Sequence, residues 1–147
     1  MIKFRQVAEN CALNKLRTTS RLVTKIYTEY LQSSGLTPTQ FSLMTALSVL
    51  GSATMKRLAE LMMMDRTTLT RNLKPLEREG LIKIFPGQDR RVRQIALTEK
   101  GGNVLDEALP RWEKAQAHLA SILGDNQWDA LHTSLDVATK AILESKL

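Results

Sequence analysis

The 147-residue chain has a single cysteine, Cys11, so no disulfide can close within it. One cysteine with only two histidines also argues against a structural zinc site. No apolar run reaches the length needed to span a bilayer. The opening MIKFRQVAEN lacks the apolar core of a signal peptide, which points to a cytoplasmic protein. There is no glycine-rich phosphate loop, no paired metal-ligand motif and no nucleophile elbow, and hence no cofactor to expect. His118 and His132 fall on separate predicted helices beside apolar stripes, without a carboxylate or nucleophile near them in sequence, so packing or surface roles are expected. The absences point away from an enzyme. A catalytic centre assembled from distant residues stays open as an alternative.

What is present is positive charge, unevenly placed. Of the net +6, the segment from Met1 to Ala53 carries +4 (six basic, two acidic residues) and that from Thr54 to Leu97 carries +5 (ten basic, five acidic), whereas Thr98 to Leu147 carries −3 (five basic, eight acidic). A cationic first two-thirds suits a polyanionic partner better than a uniformly basic coat would. A membrane surface attracts the same charge, but no lipid-anchoring motif accompanies it.

The stretch from Met55 to Thr98 organises the chain: two short helices, then two extended segments around a polar, Arg-rich turn. Asp65 is placed to cap the second helix by accepting hydrogen bonds from its first free N–H groups. Leu69, Leu73 and Leu76 form one apolar stripe, and Gly80 ends the helix. Pro75 removes the bond to the Arg71 carbonyl, so a bend is expected in the last turns. The other positions, Arg66, Thr67, Thr68, Thr70, Arg71 and Lys74, are basic or short and polar. That is what a major-groove helix needs, Arg for guanine or phosphate and Thr for base edges or a thymine methyl. Taken alone, the helix also fits an ordinary amphipathic surface helix with a solvated basic face.

The following segment raises the odds of DNA recognition. Leu81 to Phe85 and Arg91 to Leu97 read as strands joined by the turn residues Pro86-Gly87-Gln88-Asp89, and the tip carries Arg90, Arg91 and Arg93. Arginines there could simply keep a hairpin soluble. A hairpin beside a recognition helix, however, can reach a narrow, electronegative minor groove, which Arg suits. Asp89 is expected to brace Arg91 through a charge-assisted bond.

These residues resemble the MarR family of bacterial winged-helix transcriptional regulators. The resemblance rests on Leu58-Ala59-Glu60, on Asp65-Arg66-Thr67-Thr68-Leu69-Thr70-Arg71, on Leu76-Glu77-Arg78-Glu79-Gly80-Leu81-Ile82, and on Asp89-Arg90-Arg91 leading to Leu97-Thr98-Glu99-Lys100-Gly101. One departure is Ile84, where many members place a basic residue. The resemblance implies a homodimeric regulator of duplex DNA. It also implies control by a small aromatic or phenolic effector bound between the winged helix and the dimerisation helices. The residues that would hold that effector are not identified by the sequence.

Around this unit the chain is helical. Cys11 to Ser33 reads as one long helix with Leu13, Leu16, Val23, Ile26, Tyr27, Tyr30 and Leu31 on its stripe, ended by Gly35. Thr37-Pro38-Thr39-Gln40 is a capping-box start for a helix to Leu50 burying Phe41, Met44, Leu47 and Leu50. Gly51-Ser52 breaks it, and Thr54 caps Met55 to Met62, with Leu58 and Leu61 facing the core. Met62-Met63-Met64 could bind a soft metal, but core filling at a tight turn is the better reading. Thr98 caps a helix striped by Val104, Leu105, Ala108, Leu109, Trp112, Ala115, Leu119, Ile122 and Leu123, with Pro110 expected to bend it near Asp106. Gly124 stops it, and Asp125 is expected to cap a last helix carrying Trp128, Leu131, Leu135, Ala138, Ile142 and Leu143. These terminal helices have little of their own chain to pack on, which favours a second copy with interleaved ends over a monomeric bundle.

Cys11 bears on one rival reading. Some relatives sense organic hydroperoxides through a Cys near the start of the first helix, held by tyrosines. With Thr37 as the register mark, Tyr27 matches one such tyrosine, Pro38 stands at the other, and Cys11 falls two residues early. Two residues turn a helix by roughly 200°, onto another face. Cys11 is therefore read as a helix-start residue without a sensing role, and a thiol redox switch remains the alternative.

The expected fold is mainly α with a small β-wing. Residues 1–35 form an N-terminal helix of the dimerisation region, 36–99 a winged helix-turn-helix, and 100–147 the C-terminal dimerisation helices. The expected function is a cytoplasmic, DNA-binding repressor. A thiol-based regulator using Cys11, or an interaction module or enzyme on the same scaffold, are the alternatives.

Overall fold

The computed structural model describes residues 2–145; the extreme ends of the two terminal segments, residues 1, 146 and 147, lie outside it. The elements run α1 (Ile2–Asn10), α2 (Ala12–Leu31), a 3-10 turn (Gln32–Ser34), α3 (Pro38–Leu50), β1 (Ser52–Thr54), α4 (Met55–Met62), α5 (Arg66–Arg78), β2 (Ile82–Pro86), β3 (Arg93–Leu97), α6 (Glu99–Leu123) and α7 (Asp125–Glu144). No helix among the described residues is long and apolar enough to cross a membrane.

Local chemistry sets most helix starts. Thr37 and Gln40 form the expected capping box, the Gln40 N–H donating to Thr37 Oγ1 at 3.1 Å and the Thr37 N–H to Gln40 Oε1 at 3.0 Å, with Pro38 in the first turn. The Arg57 N–H donates to Thr54 Oγ1 and the Gly101 N–H to Thr98 Oγ1, both at 3.0 Å. Asp125 is instead the first residue of α7; Gly124, with φ +81°, occupies the cap position, so the sharp turn between α6 and α7 moves the boundary by one residue.

Two helices end in the same way. At the end of α5 the Leu81 N–H donates to the Leu76 carbonyl and the Gly80 N–H to that of Glu77, with Gly80 left-handed at φ +72°. At the end of α4 the Met64 N–H donates to Ala59 and the Met63 N–H to Glu60, with Met63 left-handed at φ +52°. Both are Schellman closures, in which the left-handed position is normally glycine. The methionine run is thus a tight turn as expected, but not wholly core. Met62 and Met64 pack against the interior while Met63 is 66% exposed, its left-handed backbone turning it away from the core.

The core gathers Leu31, Leu43, Met44, Leu47, Leu58, Leu69, Leu73, Leu76 and Ile95, all essentially solvent-free. The stripes of α3, α4 and α5 meet there, under a three-stranded antiparallel sheet of order β1-β3-β2. Ile95 is central, paired with Ala53 on one side and Ile84 on the other. Leu61 departs from expectation at 45% exposed, because the eight-residue α4 turns only one narrow face inward and Leu58 holds it. Leu50, at 38% exposed, lies at the end of α3, where Gly51 already turns the chain away.

Three further differences from the sequence reading stand out. β1 is a strand only by pairing with β3. β3 begins at Arg93, because Asp89 to Val92 is taken up by the turn. The opening segment is helical as α1, and Cys11 is the half-buried break between α1 and α2, with no side-chain cap bond.

α2 packs along α6, where the Tyr27 hydroxyl donates to Gln116 Oε1 and the Tyr30 hydroxyl is hydrogen-bonded to His118 Nδ1 at 3.0 Å. Burial there holds the Tyr27 phenol above its ordinary pKa. His132 lies edge-on to Trp128 in α7. Both histidines are exposed, so these are surface contacts. No residue of α7 is buried, and Leu135, Ile142 and Leu143 are exposed.

Candidate nucleic-acid interface

α5 is fixed from two sides. Its apolar stripe, Leu69, Leu73 and Leu76, is sunk in the core, so the opposite face must be presented outward. Its N-terminus is held by Asp65, whose carboxylate accepts from the Thr68 N–H at 2.7 Å and from the Thr68 hydroxyl at 3.0 Å. Those bonds hold the Asp65 carboxyl below its usual range, with smaller help from the Thr67 N–H and the charge of Arg71. The helix runs on through Pro75 to Arg78.

The outward face forms an open groove of about 650 Å³ walled by Arg66, Thr67, Thr70, Arg71, Lys74, Pro75 and Arg78. Five of the six α5 residues singled out from the sequence thus share one surface. Thr68 is the exception, its hydroxyl proton given to Asp65, which makes it a positioning residue for the helix start. Thr70 donates to the Arg66 carbonyl at 2.8 Å and keeps its lone pairs for a partner. Arg78 joins them, and its place four residues after Lys74 is the sequence signal that sets it on this face.

The wing tip is separate from this groove. The Gly87 N–H donates to the Val92 carbonyl at 2.8 Å and the Val92 N–H to that of Asp89 at 2.9 Å, closing the turn. Asp89 borders the same open recess as Phe85, Val92 and Gln94. Its carboxylate accepts from the backbone N–H of Arg91 at 3.1 Å, not from the guanidinium, so the expected charge-assisted brace is corrected to an Asx-type turn bond. The two side chains are only two residues apart in a tight turn, which favours the backbone donor. Arg90, Arg91 and Arg93 are exposed. Among the described residues the ion pairs are Arg5–Glu9 and Lys140–Glu144, so no basic side chain of α5 or the wing is tied up in one.

The winged unit is joined to α6 by a close backbone contact. The Thr98 N–H and hydroxyl donate to the carbonyls of Leu81 and Gly80 at 3.1 and 2.6 Å, and Lys100 Nζ donates to that of Glu79 at 2.8 Å. Gly101 completes the joint: a Cβ there would lie 1.9 Å from the Leu81 carbonyl oxygen.

Elsewhere, an apolar recess of about 460 Å³ lies among α2, α6 and α7, lined by residues including Val23, Ile26, Leu119 and Leu131. Among the described residues no three His, Cys, Asp or Glu side chains converge as a metal would require.

Residues 36–92 match the sequence model described as the MarR family. The uncharacterized HTH-type transcriptional regulator YwaE of Bacillus subtilis (strain 168) is 30% identical over 122 residues, covering 82% of this chain and 71% of that protein. The transcriptional activatory protein BadR of Rhodopseudomonas palustris is 29% identical over 144 residues, covering 85% of this chain and 78% of its own. Among solved structures, the M. tuberculosis transcriptional regulator MosR in complex with DNA superposes with a TM-score of 0.83 at 35% identity, covering 94% of this chain and all of that one.

Proposed function

This chain belongs to the MarR family of transcriptional regulators, and we propose that it binds a pseudo-palindromic operator as a homodimer and represses transcription until a small effector releases it. As a member of that family it is a regulator and not an enzyme. One observation carries the DNA reading: the outward face of α5 is a continuous groove of basic and short polar side chains without an acidic residue.

In this reading the α5 groove enters the major groove. Arg71 and Thr67, on the middle of the exposed face, meet base edges, while Arg66, Lys74 and Arg78 meet phosphates on either side. Thr68 and Asp65 keep the helix start in register. The wing sets Arg91, with Arg90 and Arg93, toward the adjacent minor groove, where closely spaced phosphates concentrate negative potential. A two-fold dimer presents two such units to half-sites about 34–36 Å apart. Support for the dimer comes from α7, which exposes its apolar residues on its own chain. Effector control, by a small aromatic or phenolic molecule, is supported by family membership alone.

The test is an anisotropy titration on duplexes selected from random sequence, at two salt concentrations. A regulator contacting six to ten phosphates loses roughly 10³–10⁵ in affinity between about 50 and 200 mM salt. Affinity that ignores salt and sequence would sink the proposal. Activation is the second reading, favoured by the similarity to a protein named an activator. Footprints overlapping promoter elements would support repression, and footprints upstream of them, activation.

A further inference from the structure

Three of the chain's six methionines wall one open cleft of about 510 Å³ at the turn between α4 and α5. Met55, Met63 and Met64 share it with Lys56, Glu60 and Arg66, the last being the first residue of α5. The arrangement is unusual in two respects. Met63 takes the left-handed position that Gly80 takes in the matching closure at the end of α5, and it is the one non-glycine residue with positive φ among the described residues. Met64 is the apolar residue that follows in the Schellman motif. Such a residue normally packs back on the helix three positions before the cap, here Ala59, which lines the same cleft. Met55 and Met64 also pack against the core. Their thioethers are thus reachable from solvent and part of the apolar packing that holds the turn.

We propose that this cleft is a site of reversible methionine oxidation by hydroperoxides, and that sulfoxide formation at Met64 and Met55 releases the start of α5 and weakens DNA binding. The DNA part rests on the reading of α5 given above. In the reaction a thioether sulfur lone pair attacks the distal peroxide oxygen. The O–O bond breaks as the S–O bond forms, and the departing oxygen takes up the hydroxyl proton to leave as water or an alcohol. Sulfur is oxidised by two electrons and the peroxide reduced. The product carries a polar oxygen where a thioether had packed. That oxygen is costly to keep against Ala59 and the core, so the side chain moves outward and the Met64 N–H to Ala59 bond loosens. Asp65, the next residue, caps α5, so the displacement falls directly on the helix start. Met63, already exposed, is oxidised first but changes little.

The experiment uses full-length protein carrying Cys11→Ser, so that no thiol takes part. Unmodified and hydrogen-peroxide-treated samples are titrated on the selected operator, with peptide mass spectrometry locating each added oxygen and amide exchange following Met63 and Met64. The expected result is oxygen at Met63 first and then at Met55 and Met64, faster exchange at the turn, and operator affinity lower by roughly tenfold, or about 1.4 kcal/mol. Methionine sulfoxide reductases restore it. The variant with Met55, Met63 and Met64 all changed to Leu, close in volume, binds as the unmodified protein does and resists peroxide. Equal affinity with the cleft oxidised, or equal loss in the triple Leu variant, would overturn the proposal. Unmodified protein blind to every duplex would overturn the DNA reading instead, and amide exchange at Met63 and Met64 left unchanged in the peroxide-treated sample would overturn the proposed loosening of the turn.

Discussion

Arg91 sits in a turn held by backbone bonds and the Asp89 carboxylate, with its own side chain exposed and unpaired by any acidic group among the described residues. Arg91→Ala is therefore expected to leave the fold and the proposed dimer intact and to lower operator affinity at least tenfold, roughly 1.4 kcal/mol. Titration on one operator at fixed salt, with circular dichroism as the folding control, checks it; unchanged affinity would remove the wing from the interface. Because Asp89 accepts from a backbone N–H, its amide should replace it: Asp89→Asn should bind nearly as the parent does, and Asp89→Ala more weakly. The sequence showed both residues, but a D-x-R pattern does not say which Arg91 donor the carboxylate will choose. At Gly101 the demand is steric. Gly101→Ala sets a methyl against the Leu81 carbonyl and should cost about 1–3 kcal/mol or more, read as a lower urea midpoint with unchanged slope. That contact was legible only as a motif, since nothing in Leu-Thr-Glu-Lys-Gly names the residue before β2 that it meets.

At the scale of elements, α5, the proposed recognition helix, owes its position to an apolar stripe and a capped start. Both were readable because they are local: leucines at helical spacing, and an Asp before them. The Asp65 carboxyl is held below its ordinary value near 3.8 by its bonds to Thr68. A group with a depressed folded-state value contributes stability above its unfolded pKa and loses it as pH falls through the folded one. The stability difference between the parent and Asp65→Asn, which can still cap, should therefore be constant near neutrality and shrink below about pH 4. The effect will be small, since the carboxylate is fully exposed and solvent-screened. Thermal melts of both proteins across acid pH test this; a difference that persists unchanged would mean that Asp65 acts only as a hydrogen-bond acceptor. β1 escaped the sequence reading for the opposite reason. Ser52-Ala53-Thr54 is too short and small to show alternation, and it becomes a strand through partners some forty residues away.

On the scale of the whole molecule, the main core draws on Leu31 of α2 and Ala108 of α6 as well as on the winged unit, while α7 buries none of its residues. The proposed dimer follows from that contrast. Removing Asp125 to Leu147 should abolish dimerisation and tight operator binding together, while the core of α3 to β3 stays folded. Analytical ultracentrifugation and the operator titration check both halves of the statement, and a truncated chain that still binds one palindrome tightly would sink it. The sequence exposed this much because the α7 stripe has no counterpart left unclaimed; which face of α2 meets α6 required Tyr27 and Tyr30 to be placed.

An α7 left bare on its own chain also has a bearing on dosage. If only the paired form grips an operator, the amount of competent regulator at low abundance follows the square of the amount of chain. Halving synthesis then removes roughly three-quarters of the dimer. Gene control would consequently change over a narrower span of protein level than a one-chain regulator could produce, and dilution at cell division would by itself become a signal.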